Sequence, residues 1–174
     1  SLHDALPICF RYMDDSIADS AYSDFQPESR RYRLFSGFVQ NETRFLNDRA
    51  QLTLGAKLEY NDFSGLEVQP SVRLAWSPRD RHLLWAAVSR AVRTPGRAEH
   101  DIWYPSFSLP FVLAGLRGDD HFDAEEVLAF EAGYRKNISE RSSLDAALFY
   151  NAYDDLRTTE LRLPGLRSWH GVPY

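Results

Sequence analysis

Apolar and polar side chains alternate residue by residue from position 50 to position 61. Leu52, Leu54, Leu58 and Tyr60 occupy one parity, and glutamine, threonine, lysine and glutamate side chains occupy the other. A period of two predicts a β-strand, because successive side chains of an extended chain point to opposite faces of a sheet. The strand therefore has one apolar face and one polar face.

Five further segments are predicted to be strands. Three of them repeat the alternation clearly: 68–77, 128–136 and 144–153. The lipid-facing parity of the segments 32–45 and 83–93 is not decided by the pattern. The first segment mixes polar residues into it, and the second carries apolar residues on both parities. Short polar turns alternate with longer connections along the chain. An antiparallel meander then places all turns (47–49, 78–81, 137–142) at one end and all long connections (14–30, 62–67, 94–124 and the tail after 154) at the other.

The length of these runs favours a membrane-crossing sheet. Strands of soluble sheets average five or six residues, whereas runs of about ten to twelve residues match a tilted strand that crosses a bilayer. Aromatic side chains lie near both ends of these strands, and aliphatic side chains lie between them. We expect two interfacial belts, formed by Phe45, Trp76, Trp85 and Tyr134 beside the turns and by Tyr60 and Tyr150 at the other strand ends. We expect seven side chains to face lipid: Leu52, Leu54, Leu58, Val72, Leu74, Phe130 and Leu148.

Composition excludes several classes of protein. The 174 residues are 44% hydrophobic and 26% charged, as in a folded chain. No run approaches the roughly 20 apolar residues of a membrane-spanning helix. Twenty basic and 25 acidic residues are interspersed, so no basic surface for nucleic acid is expected. A single cysteine, Cys9, excludes an internal disulfide.

Five stretches together resemble the TonB-dependent outer-membrane receptors. They are SGFVQNE at 36–42, LTLGAKLEY at 52–60, WAAVSRAVRTP at 85–95, EEVLAFEAGYR at 125–135 and LFYNAYDDL at 148–156. The resemblance implies an all-β, 22-stranded transmembrane barrel plugged by an N-terminal domain and energised through TonB. It also implies import of a scarce nutrient such as an iron-siderophore complex, haem or cobalamin.

About six strands are only part of such a barrel, so we expect an incomplete up-and-down meander over residues 9–160. Residues 1–8 resemble the translation of a common sequencing adapter and are set aside. Residues 161–174 lack a sustained period and are expected to be an unstructured or truncated loop.

The long connection after the fourth strand contains the densest group of polar and aromatic side chains. Five of them are candidate ligand-binding residues: Arg93, Arg97, His100, Trp103 and Tyr104. Arginines and rings bind anionic, ring-bearing ligands by charge-assisted hydrogen bonds and stacking, which suits a ferric siderophore. The competing interpretation is that these residues only solvate and order the loop. His100 and His121 lack a compact ligand spacing, so neither a metal site nor a cofactor is expected.

The chain is therefore expected to form part of a gated importer in the bacterial outer membrane and not an enzyme, because no serine lies in a nucleophile-elbow pattern. Its expected partners are outer-membrane lipid, the receptor's own plug domain, the TonB complex and a siderophore-type ligand. A plug-free, porin-like diffusion barrel and a soluble β-sandwich binding module remain alternatives. A barrel enzyme would need a catalytic group that the sequence does not display.

Overall fold

The computed structural model describes residues 8–17, 23–109, 112–159, 168–169 and 172–173. In chain order the strands are β1 (Ile8–Ser16), β2 (Asp24–Phe25), β3 (Ser29–Phe45), β4 (Ala50–Asn61), β5 (Gly65–Trp76), β6 (His82–Arg93), β7 (Ile102–Leu109), β8 (Val112–Arg117), β9 (Glu125–Ser139), β10 (Ser142–Asp154), β11 (Ser168–Trp169) and β12 (Val172–Pro173). One short helix, α1 (Arg97–His100), lies between β6 and β7. No helix in these ranges is both long and apolar enough to span a membrane.

Seven strands form one open antiparallel sheet in the order β1-β3-β4-β5-β6-β9-β10. The six strands expected from the pattern are all present, which confirms the all-β meander. The additional strand is β1, which extends to Ser16 and pairs with β3, so the connection predicted to start at residue 14 starts later. The alternation of β1 is interrupted, because Cys9 and Met13 place apolar side chains on the parity opposite to Phe10 and Tyr12. Ile8 pairs with Gly37, while residues 1–7 lie outside the described part of the chain.

The register brings the apolar parities of neighbouring strands onto one face, called here the apolar face. Leu54 pairs with Val72, Val72 with Val88, Val88 with Phe130 and Phe130 with Tyr150. All seven residues predicted to face lipid alternate onto this face. Leu54 and Leu58 remain 45% and 49% exposed, and within the described ranges no second layer of protein covers them. The opposite face, called the polar face, carries Lys57 and Glu59 of the same strand.

Pairing also assigns the two strands whose faces the sequence left open. In β3, Phe35 and Val39 pair with apolar-face residues of β4. In β6, Trp85 pairs with Ala75 and Gly133 on the polar face, so its predicted place in an aromatic belt is wrong. A Cβ atom at Gly133 would lie 2.5 Å from the indole, so the ring packs directly on the glycine backbone. The parity of β6 alone could not reveal this contact, because the strand is apolar on both faces.

The sheet has two different ends, as the order of turns and connections predicted. The turn end carries the connections 46–49, 77–81 and 140–141. Leu46, Asn47, Asp48 and Arg81 have positive φ values there, which tighten two of these reversals. The third turn is shorter than expected because β9 continues to Ser139.

The loop end carries a second, three-stranded sheet in the order β2-β7-β8. Asp24 pairs with Trp103 and Phe25 with Ile102, so the connection between β1 and β3 is joined to the one between β6 and β9. Within the tail that was expected to be unstructured, β11 and β12 form a two-residue antiparallel ladder. The other residues from 160 to 174 lie outside the described part.

Candidate functional site

The centre of the loop end is the guanidinium of Arg97, which is only 7% exposed. Its Nε donates to Asp101 Oδ2 over 3.0 Å, and its Nη1 donates to Asp15 Oδ2 and to the carbonyl oxygen of Glu28, both over 3.3 Å. Its Nη2 donates to the carbonyl oxygen of Pro27. A buried charge is tolerated only when it is paired and hydrogen-bonded. Arg97 therefore joins α1 to the end of β1 and to the start of β3.

Asp101 extends this network to a second arginine. Its Oδ1 accepts a hydrogen bond of 2.6 Å from Arg30, and its backbone oxygen accepts one from the Gln26 amide. Arg30 also lies over the ring of Phe63, with its guanidinium carbon 4.8 Å from the ring centroid. Phe63 belongs to the short connection between β4 and β5, so three connections of the loop end meet at these side chains.

His100 packs against the same phenylalanine. The two ring centroids are 5.0 Å apart in an edge-to-face arrangement. Its Nε2 lies 3.0 Å from the carbonyl oxygen of Phe122, so this nitrogen is placed to donate a hydrogen bond. The ring is buried, and its Nδ1 has no hydrogen-bond partner among the described residues. His100 thus anchors α1 on Phe63 and on the chain before β9.

A second ion-pair group lies beside α1 and is centred on Glu99. Its carboxylate accepts hydrogen bonds from Arg93 (3.1 Å), from Arg157 (3.3 Å) and from the Gly96 amide (2.9 Å). Arg93 also pairs with Glu125 of the adjacent strand. Partial burial acts to raise the pKa of Glu99, but the hydrogen bond from the Gly96 amide and the interaction with Arg93 outweigh it and hold the pKa below its ordinary value.

Two neighbouring residues at the start of β7 differ in exposure. Trp103 is buried, and a Cβ atom at Gly115 would lie 2.6 Å from its ring, so the indole packs on the β8 backbone. Tyr104, the next residue, is 46% exposed and pairs with the exposed Leu116. A cavity of about 30 Å³ lies beneath the sheet, lined by Gln26, His100, Asp101, Ile102, Trp103, Arg117 and Gly118. That volume suits a single water molecule.

One cluster of possible metal ligands lies in the same connection. Ligand atoms of Asp119, Asp120 and His121 fall within 4.8 Å of one another. The latter two are exposed, and His121 Nδ1 lies 2.9 Å from an oxygen of Asp120. This contact between exposed side chains accounts for the arrangement, and the expectation that the chain has no metal site stays a prediction.

Comparison with known proteins gives a family. The family profile described as "TonB dependent receptor-like, beta-barrel" matches residues 5–168. The chain belongs to the TonB-dependent receptor β-barrel family. Members of this family are outer-membrane transporters and not enzymes. A comparison with curated protein sequences gives no match.

Solved structures of siderophore receptors are similar in fold to this receptor-barrel chain. A variant of the ferric enterobactin receptor PfeA from Pseudomonas aeruginosa is 23% identical, with a TM-score of 0.65, over 72% of this chain and 18% of that one. Another PfeA variant, in complex with enterobactin, is 25% identical, with a TM-score of 0.63, over 72% and 19%. The siderophore receptor PirA from Acinetobacter baumannii is 15% identical, with a TM-score of 0.67, over 89% and 25%. The chain thus spans between 18% and 25% of these structures.

In this receptor-barrel chain, the five predicted ligand residues are brought together at the loop end but serve different purposes. Arg97, His100 and Trp103 are buried in internal contacts, so the expectation that they bind a ligand from solvent is corrected. Their partners lie up to 82 positions away in the sequence, at Asp15 for Arg97. Arg93 and Tyr104 are both about half-exposed, but Arg93 is already paired with two carboxylates. Sequence reasoning missed Asp15, Arg30 and Phe63, for which no local motif exists.

Proposed function

We propose that the chain is a wall segment of a TonB-dependent siderophore receptor in the bacterial outer membrane. One observation carries the proposal: the register of seven strands brings their apolar side chains onto one uncovered face. Lipid would contact this face, and the polar face would line the lumen. The alternatives are less well supported, since the family profile is that of a receptor barrel and a soluble sandwich would cover the apolar face with a second sheet.

Dimensions of β4 support this orientation. Ala50 shares a register row with Phe45 and Trp76, and Tyr60 lies ten positions further along the strand. At about 3.4 Å per residue and a tilt of about 40°, ten positions span roughly 26 Å across a membrane. The apolar band of outer-membrane barrels is about 25 Å tall. Phe45, Trp76 and Tyr134 would then form one interfacial belt, while Tyr60 would belong to the other. Tyr150 also lies on the apolar face, and we propose that it belongs to the same belt as Tyr60.

The polar face supports a lumenal role. Lys57 Nζ donates to Glu59 over 2.7 Å, and Glu59 also accepts a hydrogen bond from Thr94. Arg135 donates to Asp145 across the β9–β10 pair over 2.8 Å. Such pairs are compatible with a wet interior or with contact to a plug domain, and lipid would leave them without solvation. We propose that the same receptor includes a plug and a segment that contacts TonB.

A siderophore-type ligand is the proposed cargo. Support comes from the similar solved structures, a ferric enterobactin receptor and a siderophore receptor. The loop end would present Tyr104 to an aromatic, anionic ligand on a platform held by the buried Arg97 network. Rigid support of this kind limits the entropy lost on binding.

Two measurements test the proposal. First, the complete receptor diluted from urea into phosphatidylcholine vesicles should acquire strand structure by circular dichroism and should co-sediment with the vesicles. A stable, monomeric, water-soluble sheet formed by this chain alone would contradict the wall assignment. Second, the complete receptor should bind ferric enterobactin as a probe, and Tyr104→Ala should weaken that binding more than Tyr104→Phe, which retains the ring. Equal binding by both variants would remove Tyr104 from the ligand surface.

A further inference from the structure

Most of the arginines described at the loop end of the sheet pair with carboxylates. Seven of them lie within 4.0 Å of a carboxylate oxygen: Arg30, Arg31, Arg33, Arg90, Arg93, Arg97 and Arg157. Several pairs cross from one strand or connection to the next. These seven residues are therefore committed to holding the loop end together, whereas Arg117 is exposed and forms no ion pair with a described residue.

Basic residues at the turn end have a different environment. Five are exposed: Arg49, Arg79, Arg81, Lys136 and Arg141. None of them forms an ion pair with a carboxylate in the described ranges, although Asp48, Asp80 and Glu140 lie in the same turns. Five cations against three carboxylates leave a net charge of +2 at this end, on a chain whose total is −5. Uncompensated cations in one place indicate an anionic partner.

The turn-end cations adjoin the aromatic side chains of the apolar face. Phe45, Trp76 and Tyr134 share one register row, and Lys136 follows Tyr134 on the same face. Tyr134 is further tied to β6 by a 2.7 Å hydrogen bond between its hydroxyl and His82 Nδ1. The cations therefore lie directly beyond the row where the apolar face ends. Lipid headgroups occupy this position when aromatic rings lie at the membrane interface.

Two of these cations border a groove of about 510 Å³ between neighbouring turns. It is lined by Arg81, Asn137, Ser139, Glu140, Arg141, Ser142 and Ser143. The Arg81 carbonyl oxygen accepts a 2.9 Å hydrogen bond from the Asn137 amide, which holds that turn against β9. Guanidinium and hydroxyl groups are the donors that bind phosphate oxygens.

We propose that the turn end binds the phosphate headgroups of anionic phospholipids, with one headgroup in the groove between Arg81 and Arg141. This inference rests on the proposed function, because it requires the apolar face to lie in a membrane. Continuity between that face and the cations favours a lipid over a soluble anion: one molecule can place its acyl chains on the aromatic row and its phosphate on the arginines.

The test uses the complete receptor that contains this chain, because the open sheet alone would leave two unpaired strand edges in lipid. The receptor is folded from urea into phosphatidylcholine vesicles or into vesicles in which part of that lipid is replaced by phosphatidylglycerol. Co-sedimentation gives the partition coefficient, and circular dichroism reports strand structure. The unaltered receptor should partition more strongly into the anionic vesicles. The double variant Arg81→Gln/Arg141→Gln should lose roughly fivefold of that preference for each arginine removed.

A matched control removes two positive charges from the polar face of the sheet. Arg44→Gln/Arg135→Gln changes the net charge equally, but these arginines belong to the polar face and already pair with Glu42 and Asp145. The control should retain the preference for anionic vesicles. An equal loss in both double variants would show that only net charge matters and would overturn the proposal. So would complete competition by soluble glycerol phosphate, which would identify the groove as a site for free phosphate.

The two proposals fail in different ways. If the receptor acquires strand structure in both kinds of vesicle without preferring the anionic one, the headgroup site is refuted and the wall assignment stands. If this chain alone forms a stable, monomeric, water-soluble sheet, both are refuted.

Discussion

Placing an arginine on the apolar face measures directly whether that face contacts lipid. Leu54 lies four positions from Ala50, where the turn-end aromatic row crosses β4. At about 3.4 Å per residue and a tilt of about 40°, this places Leu54 roughly 10 Å inside the interface. The midplane of an apolar band about 25 Å tall lies at nearly that depth. Leu54→Arg should therefore destabilise the membrane-folded state by about 2–4 kcal/mol.

Two further substitutions on the same strand calibrate this effect. Leu58 lies eight positions from Ala50, or roughly 21 Å across the band, so Leu58→Arg near the second interface should cost only about 0–1 kcal/mol. Thr53→Arg places the charge on the polar face between Glu42 and Arg73, where no lipid desolvates it. Its cost should be close to zero.

Folding of the complete receptor into vesicles against a urea gradient gives the three free energies, and strand content by circular dichroism verifies that each variant folds. A cost of about 2–4 kcal/mol corresponds to a fall of about 30-fold or more in the folding equilibrium. If Thr53→Arg costs as much as Leu54→Arg, the assignment of faces is wrong. If Leu54→Arg and Leu58→Arg cost the same, the depths inferred from the strand length are wrong.

Three further predictions concern the loop end and the polar face. Arg97→Gln should leave its carboxylate partners without a cation and cost about 3–5 kcal/mol of loop stability. Faster proteolysis within residues 94–124 would show this loss, whereas the exposed control Arg31→Gln should cost about 1 kcal/mol or less. Because the pKa of Glu99 is lowered on folding, its contribution to the stability of the loop end should persist at neutral pH and be lost as the pH falls through that lowered value. Amide hydrogen exchange at the loop end should therefore become faster at acidic pH, and Glu99→Gln should abolish this pH dependence. Gly133→Ala should cost about 1–3 kcal/mol and shift tryptophan fluorescence, because a Cβ atom there collides with an indole. At Gly37 nothing lies within 4 Å of the added atom, so Gly37→Ala should be neutral, and equal costs at both glycines would contradict the packing.

Strand positions and faces could be derived from the sequence wherever alternation was strict. The bounds of β4 coincide with the alternating run from 50 to 61, and its leucines lie on the face that was predicted. The division into a turn end and a loop end also follows from sequence, because it depends only on the order of short and long connections. These features are local: each is specified by consecutive side chains and by turn residues.

The remaining features required the tertiary structure. Trp85 lies on the polar face because Gly133 of the neighbouring strand leaves room for its indole, and Arg97 is buried because Asp15 and the carbonyl oxygens before β3 surround it. Neither contact has a local signature, since the partners are separated by 48 and 82 positions. Alternation assigns a side chain to a face of its own strand, but only strand register and the meeting of distant connections determine which atoms lie against it. For that reason the sequence predicted a membrane-crossing wall, while the tertiary structure separated the arginines that hold the loop end together from those that remain exposed at the turn end.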